Sequence, residues 1–251
     1  MNEEDDFEED PYLVGISPEA LQVGVYKRTG VVNNTPFGLP LVSCWRSFPT
    51  SMEEPYRMLI SKIASCLETK EAHLYPFDDL HVTIATFRSL LDPNPPTTDK
   101  DSESIKQFCV NVLESASKRN GWPTKGSNFF LLKPKEIRLL KKNAIILWEE
   151  TTGNLESMRR CLKEEMEASR SNSIMKMLYF SVPNIVHSTI LRFWKCPSKP
   201  EMIIQAFKGS DLIDILPIEI DVQPNVKLVC EDIPCMHIND DEHHVLWKDQ
   251  F

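Results

Sequence analysis

One order of elements occurs twice along this chain. It runs as an amphipathic helix, an apolar stretch holding a His-x-Thr pair, a second helix, a long strand-like run and a short one ending in Leu-Trp. The pairs are His81-Val82-Thr83-Ile84 and His187-Ser188-Thr189-Ile190, 106 residues apart, and Trp148 and Trp247 follow them 99 residues apart. A repeated order of elements predicts two similar lobes, because each unit buries its apolar face against its counterpart. In an extended strand, side chains alternate faces, so His81 and Thr83 share one face and His187 and Thr189 share another. Two lobes related by a pseudo-twofold axis bring both pairs to one central cleft.

The predicted fold is therefore α/β in the α+β sense: two pseudosymmetric lobes, each an antiparallel sheet with helices on its outer face. At 251 residues the chain has the length for two small lobes with a shared core. The first helix runs from Ser51, where Glu54 completes a capping box, to near Lys70. The second runs from Ser102 to Asn120 on a stripe of Ile105, Phe108, Cys109, Val112, Leu113 and Ala116. A third starts at Asn154 with Leu155, Met158, Leu162 and Met166, and a fourth spans Ser198 to Lys208. Strands are expected over Leu39 to Phe48, Leu80 to Phe87, Phe129 to Leu140, Ala144 to Glu149, Met177 to Pro183, Ile185 to Trp194, Leu216 to Cys230 and His244 to Lys248. Leu91 to Asp101, rich in Pro and polar residues, reads as a loop on the rim of the cleft.

Charge divides the N-terminal region from the rest. Residues 1–11 read as a disordered acidic tail, residues 12–38 as an extension packed on the body, and residues 39–251 as the bilobal domain. The formal net charge is −9, and without the seven Asp and Glu of residues 1–10 it is close to −2. That balance disfavours a groove for long nucleic acid, which needs clustered Lys and Arg, and favours a small nucleotide or an RNA end as the ligand; a monomer is expected. No apolar stretch approaches the ~20 residues of a membrane span, and the acidic start lacks the features of a secretory signal. Cys44, Cys66, Cys109 and Cys161 sit singly in apolar segments, as reduced thiols would, so a cytoplasmic or nuclear protein is expected.

Each His-x-Thr by itself is satisfied equally by a buried structural histidine. The two together, in matching slots, resemble the signature of the two-histidine (2H) phosphoesterase superfamily, with HVTI at 81–84 and HSTI at 187–190. The resemblance covers 39–251, and Arg192 extends the second motif to His-x-Thr-x-x-Arg, similar to the bacterial RNA 2′,3′-cyclic phosphodiesterase branch. It implies a metal-independent hydrolysis of a 2′,3′-cyclic phosphate on a nucleotide or RNA end. His81 and His187 divide the acid and base work, while the Thr83 and Thr189 hydroxyls meet the phosphoryl oxygens.

Around these four residues the reading is less direct. Strict alternation turns Arg192 away from His187, so it reaches a phosphate only if the strand bulges. By the same alternation Phe87 and Phe193 face the cleft and are placed to stack on a base, with core packing as their other role. Cys230-x4-Cys235-x-His237-x5-His243-His244 has metal-ligand residue types but no common zinc spacing, and with eight Gly a phosphate-cradling loop is not expected. No cofactor is implied. Alternatives in the same family are 2′-5′ oligoadenylate cleavage and RNA 3′-end trimming. The alternative from another class is a non-catalytic module that binds a nucleotide or RNA end.

Overall fold

The computed structural model describes residues 7–22, 37–92, 96–123, 130–208, 212–222, 225–232, 234–236 and 244–249. Among the described residues nine strands form two antiparallel sheets. The first has the order β3-β1-β8-β9, with β1 Leu39–Ser43, β3 Val82–Arg88, β8 Val226–Val229 and β9 Val245–Lys248. The second has the order β2-β6-β5-β4-β7, with β2 Ala72–Leu74, β4 Phe130–Leu139, β5 Asn143–Glu150, β6 Val186–Phe193 and β7 Ile220–Val222. The helices are α1 Pro18–Gln22, α2 Glu53–Ala64, α3 Asp99–Ala116, α4 Asn154–Ala168 and α5 Pro200–Lys208. Helix α3 packs on β9 and α4 on β3, so both cover the first sheet, while α5 packs on β4 of the second. This is the expected α+β architecture of two sheet-and-helix lobes. One apolar cluster, from Leu39 and Ile84 through Ile146 to Ile190, runs through both.

Each sheet draws strands from both halves of the chain. The β4–β5 hairpin of the first half pairs with β6 of the second, and β8–β9 of the second half join β1 and β3 of the first. Trp148 and Trp247 therefore do not occupy matching slots, contrary to the sequence reading. Trp148 is on β5 beside β6, whereas β1 and β8 separate Trp247 from β3. The single strand expected over Leu216 to Cys230 is likewise two strands, β7 on β4 and β8 on β1, one in each sheet.

The apolar stripe of α3 is buried at all six expected positions. The helix starts three residues earlier than expected because Thr98 caps it, accepting from the Asp101 amide at 3.1 Å, with Asp99 and Asp101 in the favourable first turn. The expected capping box of α2 does not form: a 3-10 turn over Thr50–Met52 precedes the helix, which has no side-chain cap. At α4 the cap comes from the preceding strand. Glu150 Oε2 accepts from the amides of Gly153 at 3.1 Å and Leu155 at 3.4 Å, and Gly153 turns the chain at φ 77°. The stretch before β6 is a 3-10 turn, Ser173–Met177, followed by one bridge between Ser181 and Thr86, rather than a strand.

The N-terminal region departs most from expectation. Residues 7–11, read as part of a disordered tail, are packed on the second sheet. Phe7 is buried edge-on against Phe193 at 4.9 Å, Glu8 N donates to Lys141 O at 2.8 Å, and Asp10 N donates to Phe193 O at 2.9 Å. The acidic run conceals one aromatic ring and one buried carboxylate. Further on, Leu13, Ile16 and Leu21 form a small core with Tyr75 and Cys235. The rest of the predicted extension, residues 23–36, and the tail's first six residues lie outside the described residues.

Candidate active site

Strands β3 and β6 come from different sheets and face each other, and His81, Thr83, His187 and Thr189 line one cleft enclosing about 210 Å³. His81 stands just before β3, and His187 is the second residue of β6. Ser188, the residue between, points the other way and accepts from Trp148 Nε1 at 3.0 Å in the core.

A bulge at the same place in both strands decides what else enters the cleft. In β3, Leu41 pairs with Ala85 and Val42 with Thr83, leaving Ile84 unpaired. In β6, Ala144 pairs with Leu191 and Ile145 with Thr189, leaving Ile190 unpaired. An extra residue shifts the alternation by one. Thr86 and Arg192, each three residues after the motif threonine, therefore join the cleft lining. Phe87 and Phe193 turn the opposite way, fully buried in the core, with Phe87 on Phe180 at 5.4 Å and Phe193 on Phe7. The sequence assignment of these two rings as base-stacking residues is corrected: the bulge that brings Arg192 in takes both rings out.

Arg192 is held on three sides. Its Nη1 pairs with the buried Asp10 carboxylate at 2.7 Å, its Nε donates to Tyr75 Oη at 2.8 Å, and the Tyr12 ring lies 4.5 Å from the guanidinium carbon. Nη2 has no partner among the described residues, which leaves one donor directed by a fixed fork. The Thr83 and Thr189 hydroxyls likewise bond to none of the described residues.

The two imidazoles differ. His81 Nδ1 lies 2.8 Å from the Asp79 carbonyl oxygen, a contact that requires the proton on Nδ1 and leaves Nε2 with the lone pair in the neutral ring. Burial pushes the His81 pKa down to about 4, opposed by the Asp79 bond and reinforced by Arg192 and His187. His187 is also lowered, first by burial and then by Arg192 and Arg159, and its Nδ1 is buried without a partner among the described residues. An anion entering the cleft supplies what both rings lack, since its charge favours their protonated forms.

Sequence reasoning missed several wall residues, Tyr12, Tyr75, Arg88 and Glu231, and the Asp10 carboxylate behind Arg192. Arg88 is buried, with Nη1 on Asp92 at 3.0 Å and on the Met177 carbonyl at 3.1 Å. Glu231 is buried on a bridge to Gly38, where a Cβ would lie 3.1 Å from the carboxylate, and burial pushes its pKa up to about 7. Only the polar-then-aromatic order after each motif, Thr86-Phe87 and Arg192-Phe193, signalled any of this in sequence. The Cys/His-rich stretch does not resolve into a site: His237 and His243 lie outside the described residues, and Cys235 packs under Tyr75. Among the described residues no three His, Cys, Asp or Glu side chains cluster as a metal site requires.

No family model matches this sequence. No curated protein matches it either. Among solved structures, a conserved protein of unknown function from Agrobacterium tumefaciens is similar, with 10% identity and a TM-score of 0.48 over 91% of this chain and 98% of that one. That likeness carries no functional inference.

Proposed function

We propose that this chain is a metal-independent phosphodiesterase of the two-histidine type that opens a 2′,3′-cyclic phosphate on a nucleotide or RNA end. The observation that carries this is the meeting of two His-x-Thr pairs and one arginine donor in a single small cleft. His81, neutral with its lone pair on Nε2, takes a proton from the attacking water. The water oxygen bonds to phosphorus, the bond from phosphorus to one ribose oxygen breaks, and His187 protonates that oxygen. Charge on the phosphoryl oxygens meets the Thr83 and Thr189 hydroxyls and Arg192 Nη2, donors fixed in advance of the reaction. The phosphate itself raises the His187 pKa on binding and so loads the acid. Two lone histidines serving only a binding role would need neither a fixed tautomer nor free hydroxyls beside them.

The cleft falls below the about 300–1,000 Å³ usual for small-molecule sites, which suits a terminus or a small nucleotide over a long strand. Net charge of −9 supports the same preference. No described helix is long and apolar enough to cross a membrane. All seven cysteines are free thiols, which supports a cytoplasmic or nuclear location within this reading.

The test is turnover of a panel of nucleoside 2′,3′-cyclic monophosphates in excess EDTA, with His81→Ala and His187→Ala alongside. The expected result is product formation that survives the chelator and falls about 10²–10⁴-fold in each variant. Inactivity of the wild type on every member overturns the cyclic-phosphate assignment, and 2′-5′ oligoadenylate and RNA 3′ ends are then the substrates to try.

A further inference from the structure

Helix α4 carries an arginine inside its apolar stripe. Arg159 is four residues after Leu155 and one after Met158, and only 3% of it is exposed. Its guanidinium makes hydrogen bonds to carbonyl oxygens alone: Nε to Ile84 at 3.2 Å, Nη2 to Thr83 at 3.3 Å and Nη2 to Ile185 at 3.0 Å. None of the described carboxylates bonds to it; Glu156 on its own helix and Glu150 at the end of β5 act only through space.

These three acceptors belong to the two catalytic strands. Thr83 is the first motif's threonine, Ile84 is the unpaired residue of the β3 bulge, and Ile185 immediately precedes β6, two residues before His187. A buried cation bonded only to neutral acceptors is costly, and an apolar side chain would fill the stripe more cheaply. What arginine adds is a rigid planar fork that reaches two strands at once. The bulge also leaves ladder groups unpaired where β3 lies at the edge of its sheet, and Arg159 supplies donors at that spot.

We propose that Arg159 is a positioning residue that ties the two His-x-Thr strands together and so sets the separation of His81 and His187. This deepens the phosphodiesterase reading and rests on it for its kinetic consequence, while its structural consequence is independent of any substrate. Catalysis by two imidazoles on opposite sides of one phosphorus depends steeply on their spacing, and a misplacement of about 1 Å reduces turnover about 10²-fold. Arg159 also adds positive charge beside His187, together with Arg192 on β6, while His81 across the cleft is the other titratable group facing it.

Two variants separate this role from plain packing. Arg159→Lys keeps the charge but cannot reach both strands, and Arg159→Met keeps the volume and loses the charge. Each is measured for kcat and KM on the substrate the wild type turns over, for its histidine titrations by NMR, and for backbone amide resonances along β3 and β6. Expected are a kcat about 10²-fold lower in both with KM within about threefold, amide shifts on both strands, and an upward shift of the His187 pKa in Arg159→Met but not in Arg159→Lys. Wild-type kcat in Arg159→Lys, or amide shifts confined to one strand, overturns the proposal. Where Arg159→Met fails to fold, Arg159→Lys alone decides by the same criteria. Where the wild type turns over nothing, the phosphodiesterase reading fails, and the amide and titration measurements still decide whether Arg159 couples the strands.

Discussion

The chemistry of the cleft is set by two histidines whose pKa values the fold lowers. His81 has a folded pKa of about 4, below the ordinary 6.5, because burial penalises its charge. Between those values the unfolded chain binds the proton and the folded chain does not, so stability is full above pH 6.5 and declines as pH falls toward about 4. The loss amounts to at most about 3 kcal/mol, and chemical denaturation across that window should show the slope, which His81→Gln removes. Activity carries a related signature. His81 must be unprotonated and His187 protonated in the free enzyme, and the His187 pKa is lowered from 6.5, so kcat/KM should peak at acidic pH, between about 4 and 6.5. A kcat/KM plateau extending through pH 8 would mean that neither histidine is the general acid, since both titrate below 6.5. At Arg192, the Asp10 carboxylate is the buried counter-charge, and Asp10→Ala leaves the guanidinium partly buried and unpaired. A stability loss of about 3 kcal/mol by thermal or denaturant unfolding is expected. The His-x-Thr pairs were legible at this scale because each needs only local alternation. Asp10 was not, since its partner is 182 residues away.

At the scale of the element, the bulge is the feature that sequence periodicity alone misread. His81 to Phe87 reads HVTIATF and His187 to Phe193 reads HSTILRF, so both strands place two apolar residues in succession after the threonine. Burial follows the same sequence in each, with the half-buried positions at His, Thr and the third residue after that Thr. Two adjacent buried residues in a strand break a period of two and mark the inserted residue. The helices needed no such correction, because the stripe of α3 follows its period without interruption. The consequence is testable at Phe193. As a core ring against Phe7 it should tolerate Phe193→Leu with a loss of about 1–2 kcal/mol and a KM unchanged within about twofold. Arg192→Met, on the other parity, should leave the Phe7–Phe193 contact alone, cost about 3 kcal/mol by stranding the buried Asp10 carboxylate, and lower kcat/KM about 10²–10³-fold. A KM rise confined to Phe193→Leu would restore the stacking role that the bulge removes.

Over the whole molecule, the repeated order of elements predicts lobes correctly and their membership incorrectly. Sequence order suggests that each half folds upon itself, yet β4 and β5 complete the sheet of the second histidine while β8 and β9 complete that of the first. The reason lies in long-range pairing: an antiparallel edge accepts any strand of the right pattern, and residue order does not say which. Beside β3 that slot goes to β1, which precedes the repeat altogether. The exchange ties the two halves of the chain together through the backbone ladders of both sheets, as well as through the common apolar cluster. Neither half then owns a closed sheet, and each would expose unpaired strand edges and its share of that cluster to water. Cutting the chain in the exposed turn at Thr152 and Gly153 tests this. Fragments 1–152 and 153–251 should each lack a cooperative unfolding transition and near-ultraviolet dichroism, whereas mixing them should restore both. The mixture should also recover the cleft, since His81 and His187 arrive on different fragments. A fragment 1–152 that unfolds cooperatively by itself would mean that β1, β3, β4 and β5 pair among themselves, and the exchange of strands between halves would be wrong.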